Sequence, residues 1–241
     1  MFCIRVFAGK RIYYTHKSLL PYMPNKNKPT IALTGATGFL GSHLMASLLT
    51  KGYNVVVFGR PVKNESLNER VARLLKWFGI VNCSSQVTCI DADLSQENLG
   101  IEKGKYLRLC SIVDSVIHCA SDTSFSENKR EKVMAANIDN LNGILEFSKN
   151  ARVSFFHYIS TAYVAGTGVT YCEETLSSVK TFTNVYEESK AEAEKIISRF
   201  CEKNSICLSI SEVSWLLGAS SKLSISGGSR NTAIRSAVNA D

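Results

Sequence analysis

No acidic side chain occurs in the first 64 residues, which carry nine Lys or Arg. The remainder holds 19 basic and 21 acidic side chains, so the formal charge of +7 belongs to the first quarter of the chain. No nucleic-acid-binding motif accompanies that charge, and no nucleic-acid partner is expected. No uninterrupted apolar run has bilayer length. The first residues, MFCIRVFAGKRIYYTHK, have neither the apolar core nor the small-residue cleavage site of a secretory signal. The eight cysteines include no C-x-x-C pair, and they read as reduced thiols of a cytoplasmic protein, mostly core filler. The four histidines offer no second ligand at metal spacing, so no metal is expected. Internal repeats are also missing. Residues 1–28 read as a basic extension or linker, with PYMPNKNKP as the loop into the domain.

What is present suits one α/β domain: 241 residues, 45% hydrophobic and 20% charged. The stretch TIALTGATGFLGSHLM, from Thr30 to Met45, sets three glycines at even spacing, Gly35, Gly38 and Gly41. The apolar run before them predicts a buried strand. Phe39, Leu40, Leu44, Leu48 and Leu49 predict a helix after them, with Gly52 as its stop. The glycines therefore mark a strand-to-helix turn. Helix-start N–H groups there carry partial positive charge and suit a phosphate. In that context the glycines point to a dinucleotide pyrophosphate held by Gly35, Thr37, Gly38, Phe39, Leu40 and Gly41. A tight turn without a ligand is the plainer alternative.

Strand-like and helix-like segments go on alternating. NVVVF, QVTCI, VDSVIHCAS, SFFHYIS and ICLSI predict five more strands. ESLNERVARLLKWFG places Leu67, Val71, Leu74, Leu75 and Phe78 on one helical face. NKREKVMAANIDNLNGILEFSKN predicts one long helix with Val133, Asn137, Leu141, Ile144 and Leu145 on one side. NVYEESKAEAEKIISRFCEKN predicts another. The alternation implies an α/β, Rossmann-type doubly wound parallel sheet with helices on both faces, and ligands outside the carboxyl ends of the strands.

An NAD-binding unit would hold the ribose 2′-hydroxyl with an acid at the end of its second strand. Here that strand ends in VVVFGRP, with Arg60 and no acid before Glu65. A guanidinium grips a 2′-phosphate with two hydrogen bonds, and Lys63 and Arg70 add charge, so the cofactor expected is NADP(H). Arg60 as a solvated loop residue is the other reading.

TGATGFLG, DADL, HCAS, ISTAYVAG and YEESK occur in the order found in extended short-chain dehydrogenase/reductases, and the chain resembles that superfamily from about Thr30 to Gly218. YISTAYVAG followed by YEESKAEAE is similar, more narrowly, to the thioester reductase and fatty acyl-CoA reductase ("male sterility") branch. Tyr186 and Lys190, four apart on a helix, share a face. Thr161 lies at the end of the preceding strand. Tyr186 is expected to donate to a carbonyl oxygen as charge builds on it. Lys190 is expected to lower the phenol's pKa and hold ribose hydroxyls, and Thr161 to orient the carbonyl. Ser160 is an alternative donor. The plain readings are a half-buried tyrosine, a solvated lysine and a strand-end threonine.

The resemblance further implies that Asp93, next to Leu94 in DADL, meets the adenine. His118, Cys119, Ala120 and Ser121 would pass beside the cofactor, and Asn137 would support the site by bonding to backbone. It implies reduction of an acyl thioester on CoA or on a phosphopantetheine carrier protein, by hydride transfer to an aldehyde. A sugar-nucleotide epimerase or dehydratase and a cofactor-binding remnant without turnover are the alternatives. The family usually continues with Arg-Pro-Ser. Here Glu212 and Val213 stand in the Arg-Pro place, while Ser214, Trp215 and Gly218 fit. Only 51 residues follow Lys190, and residues 219–241 are rich in Ser, Asn and Gly. The expectation is a cofactor domain at 29–218, an irregular tail, and a missing substrate region: a fragment, an early stop or a degenerate copy. Such a chain should bind NADPH yet turn over acyl thioesters poorly.

Overall fold

The structure, a computed structural model, describes the backbone of residues 3–8 and 11–13, and residues 28–62, 64–81, 83, 85–167 and 181–213. Lys63, most of the expected entry loop, Ser214, Trp215, Gly218 and the tail 219–241 lie outside the described residues.

The chain runs through β1 (Cys3–Ala8), β2 (Arg11–Tyr13), β3 (Thr30–Thr34), α1 (Phe39–Thr50), β4 (Asn54–Gly59), α2 (Leu67–Trp77), β5 (Val87–Asp91), α3 (Lys103–Ile112), β6 (Ser115–His118), α4 (Arg130–Met134), α5 (Leu141–Asn150), β7 (Phe155–Thr161), α6 (Val185–Lys203) and β8 (Cys207–Val213). One sheet results, ordered β2-β1-β8-β7-β6-β3-β4-β5. The six expected strands form its parallel part, β8 to β5. Alternation along each strand feeds two cores. Ala32, Val56, Val116, Phe156 and Tyr158 face α5 and α6, while Ile31, Leu33, Val55, Val57 and Ile117 face α1 and α2. Both faces being covered, these strands are apolar almost throughout, as a doubly wound sheet requires. A Ser66–Glu69 capping box starts α2.

Three features depart from expectation. Within the supposed extension, Cys3–Ala8 pairs antiparallel with β8, Cys3 opposite Glu212 and Phe7 opposite Leu208, and β2 pairs with β1. The helix α3 has no counterpart among the expected elements. The single long helix is instead α4, a π-helical turn at Ala135–Asp139, and α5. The extra residue in that turn re-aims Asn137, which is buried.

β3 lies between β4 and β6: the chain leaves it toward β4 and crosses back from β5 to β6 on its other side, so its carboxyl end is the switch point at which doubly wound sheets hold ligands. In the ladders Thr34 stands level with Phe58 on one side and His118 on the other, and His118 with Tyr158. The ends of β3, β4, β6 and β7 therefore reach one rim.

His157, on β7, is buried with neither ring nitrogen hydrogen-bonded, its ring stacked on Phe155 at 6.0 Å. Burial holds its pKa down at about 4. An unfolded imidazole takes up its proton near pH 6.5, so stability contributed by the neutral ring is complete above that pH and is lost as pH falls from 6.5 to 4. A phenyl ring in its place, in a His157→Phe variant, would bury no unpaired nitrogen. We expect the variant to match or exceed wild-type stability at pH 7, by up to about 1 kcal/mol, and to lose less stability between pH 7 and pH 5. Urea unfolding at the two pH values measures both; a loss above about 1 kcal/mol at pH 7 would contradict the expectation.

Candidate functional site

The glycine turn is built for close approach. Gly35 has φ +71°, a conformation that favours glycine, and a Cβ there would sit 2.6 Å from the Ala120 nitrogen. A Cβ on Gly41 would overlap the Gly35 carbonyl, so α1 starts in contact with the end of β3. Gly38 caps α1 in an extended conformation, with no side-chain cap and no acid in the first turn. Thr37 and Leu40 are half-buried beside it, and Phe39 is exposed. The first-turn N–H groups of such a helix have no partner within the helix, and an anion suits them.

Thr34 ties this turn to the end of β6. Its hydroxyl oxygen accepts from the backbone N–H of Cys119 and of Ala120, each at 3.2 Å, and lies 2.9 Å from His118 Nδ1. With both lone pairs taken, the hydroxyl donates to Nδ1, which requires a neutral imidazole. Burial, aided by the Lys190 charge, holds the His118 pKa at about 3, so the ring is a fixed acceptor and no general base at neutral pH. Burial likewise raises the Cys119 thiol to about 11, which keeps it protonated and a poor nucleophile.

At the end of β4, Arg60 is exposed and Arg70 reaches back from α2 to donate from Nη2 to the Arg60 carbonyl. Arg70 Nε is buried with no partner. The Nη2 bond ties Arg70 to the backbone at the end of β4. Asp93, beyond β5, accepts from Ser95 N at 3.0 Å and Ser95 Oγ at 2.7 Å. These bonds, and more weakly the Arg60 charge, hold its carboxyl below the usual range. Leu94 is packed so closely under α5 that a Cβ on Gly143 would strike its carbonyl.

On the other side, Thr161 ends β7, and its hydroxyl lies near enough to the Tyr186 phenol to favour the ionised form. Desolvation raises the Tyr186 phenol, and the nearby Thr161 hydroxyl opposes that shift. Lys190 points elsewhere. Its ammonium donates to the Ile159 carbonyl at 2.6 Å and sits 4.4 Å from the centre of the Tyr158 ring. Tyr158 in turn stacks on His118 at 5.9 Å. Desolvation lowers Lys190 to about 8, opposed by Cys119 and by Glu194. Tyr186 is thus a protonated donor at neutral pH, which suits adding a proton to an oxyanion.

Asn137 makes four hydrogen bonds. Its Oδ1 accepts from Asp122 N at 2.8 Å and from Ser121 Oγ at 3.0 Å. Its Nδ2 donates to the Asp122 carbonyl at 3.0 Å and to Ser189 Oγ at 2.9 Å. Ser189 donates on to the Tyr186 carbonyl at 2.8 Å. The π-helical turn thereby fixes the segment after β6 against the helix that carries Tyr186.

Sequence reasoning passed over Thr34, Ser189 and Glu194. Glu194 is buried, accepts from Ser160 Oγ, and lies one helical turn beyond Lys190. The Tyr186–Lys190–Glu194 spacing of four was the available signal. Ser160 is engaged by Glu194, whereas Thr161 is the hydroxyl near enough to Tyr186 to affect its ionisation. Among the described residues no cluster of His, Cys, Asp and Glu could hold a metal ion, and no helix is long and apolar enough to cross a membrane.

A family model described as male sterility protein matches residues 33–238. A hybrid PKS-NRPS synthetase of Fusarium sp. (strain FN080326) is 32% identical over 137 residues, 56% of this chain and 3% of its own length. Fatty acyl-CoA reductase 2 of Mus musculus is 30% identical over 161 residues, 63% of this chain and 29% of its own. The chain thus spans less than a third of these relatives. The solved terminal R domain from the myxalamid PKS-NRPS pathway superimposes with a TM-score of 0.65 at 25% identity, over 76% of this chain and 48% of that one. A UDP-glucose-4-epimerase from Stenotrophomonas maltophila shares the fold, with a TM-score of 0.56 at 20% identity, over 73% of this chain and 49% of that one.

Proposed function

The chain belongs to the male sterility protein family of oxidoreductase domains, and from that premise we propose that it is the cofactor half of an NADPH-dependent reductase acting on an acyl thioester. The thioester would be carried on CoA or on a phosphopantetheine carrier protein, and the product would be an aldehyde. The observation that carries the reading is a pair of hydroxyls on the same rim as the glycine turn, Thr161 at the carboxyl end of β7 and a protonated Tyr186 near enough to feel it. It supplies two donors for one carbonyl oxygen beside the place where a dinucleotide fits. The glycine cradle, which any Cβ would fill at Gly35 or Gly41, suits the pyrophosphate. The exposed Arg60 charge at the end of β4 suits a 2′-phosphate.

When bound, such a cofactor supplies the hydride. Thr161 and Tyr186 polarise the thioester carbonyl, and Tyr186 gives its proton to the oxygen as negative charge develops there. Lys190 keeps a positive charge under the site through its bonds to Ile159 and the Tyr158 ring. The hemithioacetal then breaks its C–S bond, leaving aldehyde and thiol. The sugar-nucleotide reading rests on shared fold alone, and loss of NADPH absorbance with an acyl thioester but not with nucleotide sugars separates the two. Turnover only on nucleotide sugars would refute the thioester reading, and cofactor binding without turnover on either would favour a remnant.

For the cofactor, we expect NADPH to bind at least tenfold more tightly than NADH. Arg60→Glu should reverse most of that preference, because a charge-assisted phosphate contact of about 1.5–3 kcal/mol becomes a repulsion. Fluorescence titration of both nucleotides measures it. Equal affinities in the wild type would defeat the 2′-phosphate assignment.

A further inference from the structure

We propose that Phe125 is the surface on which the substrate's acyl chain lies, so that this ring sets chain-length preference. The inference rests on the thioester reading above. Phe125 follows β6, and its ring is centred 5.5 Å from that of Tyr186, tilted by 38°. It is nevertheless 57% exposed. The other exposed large apolar side chains among the described residues, Phe39, Val62, Trp77, Val81, Leu107 and Ile112, belong to the two ends and outer faces of α1, α2 and α3 and their loops. Phe125 alone of this set has a ring contact with Tyr186.

The ring is also held in place. Asn137 fixes Asp122 through both its backbone groups, and Asp122 Oδ1 accepts from Ser124 N at 3.0 Å. On the far side Arg130 bonds Glu127 and Glu188, each at 2.8 Å, which joins the start of α4 to the helix of Tyr186. Phe125 lies between two anchors, so its exposure is not that of a free loop tip.

A thioester carbonyl bonded to Tyr186 has two arms. The pantetheine arm is rich in amides and gains little from a phenyl face, whereas an alkyl chain gains from every methylene it removes from water. With the oxygen at the Tyr186 phenol, a ring packed on Tyr186 comes within van der Waals reach of the first carbons of one arm. The chemistry of an unpaired apolar ring selects the acyl arm.

The test uses the full chain saturated with NADP+, which has no hydride to give, titrated calorimetrically with octanoyl- and acetyl-N-acetylcysteamine thioesters. The wild type should bind the octanoyl thioester about tenfold or more tightly than the acetyl one. Phe125→Ala should abolish that preference, Phe125→Leu should restore part of it, and NADP+ affinity should be unchanged in all three. Retention of the preference in Phe125→Ala would overturn the inference while leaving the thioester reading intact. An equal loss for both thioesters would also overturn it, since the ring would then be supporting Tyr186 alone. Binding of UDP-glucose but of neither thioester by the wild type would overturn the thioester reading itself, and the inference with it.

Discussion

In a chain supplied with an intact substrate region, Tyr186→Phe is expected to lower kcat for acyl-thioester reduction by about 10²–10⁴-fold while leaving NADPH affinity within about twofold. The phenol is needed only as charge develops on the carbonyl oxygen, so its removal should appear in kcat and kcat/KM and not in cofactor binding. Folding should survive, because the ring stays to pack against Phe125 and Thr161 still accepts from Tyr163 N at 3.4 Å. The Thr161 donor should sustain the residual rate. Two ionisations shape the pH dependence. Desolvation keeps Tyr186 protonated beyond its ordinary range, whereas Lys190 loses its proton at about 8. The positive charge beneath the site is therefore present below pH 8 and disappears above it, and activity should decline on the alkaline side through Lys190 first. Steady-state kinetics of wild type and variant from pH 6 to pH 9.5 would decide it. Full activity in Tyr186→Phe would remove Tyr186 from the chemistry.

The parallel sheet was legible because its strands are buried on both faces and announce themselves as unbroken β-branched runs, NVVVF above all. The helix α3 was not, because KGKYLRLCSI buries only Tyr106 and Leu109 and exposes Leu107 and Ile112, which blurs the helical period. The pairing of Cys3–Ala8 with β8 is a contact across about 200 residues that no local pattern encodes. At the site, residue types carried the glycine turn, Tyr186, Lys190 and Asn137, since each has a fixed spacing or a fixed chemistry. Orientation was the part left out. Lys190 was expected to face the phenol, yet the Ile159 carbonyl and the Tyr158 ring, both on β7, decide where its ammonium goes. Glu194 looks like an ordinary helix charge until Ser160 is seen beside it. The π-helical turn is invisible in a sequence whose apolar positions keep an apparently regular helical spacing.

Gly41→Ala is expected to lower NADPH affinity by about 100-fold, or about 2.7 kcal/mol, and the melting temperature by several degrees. A Cβ at Gly41 would overlap the Gly35 carbonyl oxygen, lie 2.7 Å from the carbonyl carbon and 3.0 Å from the Ala36 Cα. All three are backbone atoms, so no rotamer change relieves the contact. Either α1 must move off the end of β3 or the turn must deform. Deforming the turn is opposed by Gly35, which holds φ +71° and packs so close to β6's end that a Cβ there would lie 2.6 Å from the Ala120 nitrogen. Moving α1 would withdraw the N–H groups of its first turn from the phosphate proposed to lie there, and would disturb Met45, Leu48 and Leu49 in the core beneath. Overpacking of this kind costs about 1–3 kcal/mol, which in a chain this long is roughly 2–10 °C of melting temperature. Gly38→Ala is the internal control. Its nearest neighbour would be the Gly35 carbonyl oxygen at 3.3 Å, which a shift of a few tenths of an ångström accommodates, and its φ of −80° is open to any residue. It should lose no more than about threefold in affinity, by the same conversion under 1 kcal/mol. Thermal unfolding with and without NADPH measures both variants. If Gly41→Ala bound NADPH like the wild type, or if Gly38→Ala suffered the larger loss, the anion would not be seated on the first turn of α1.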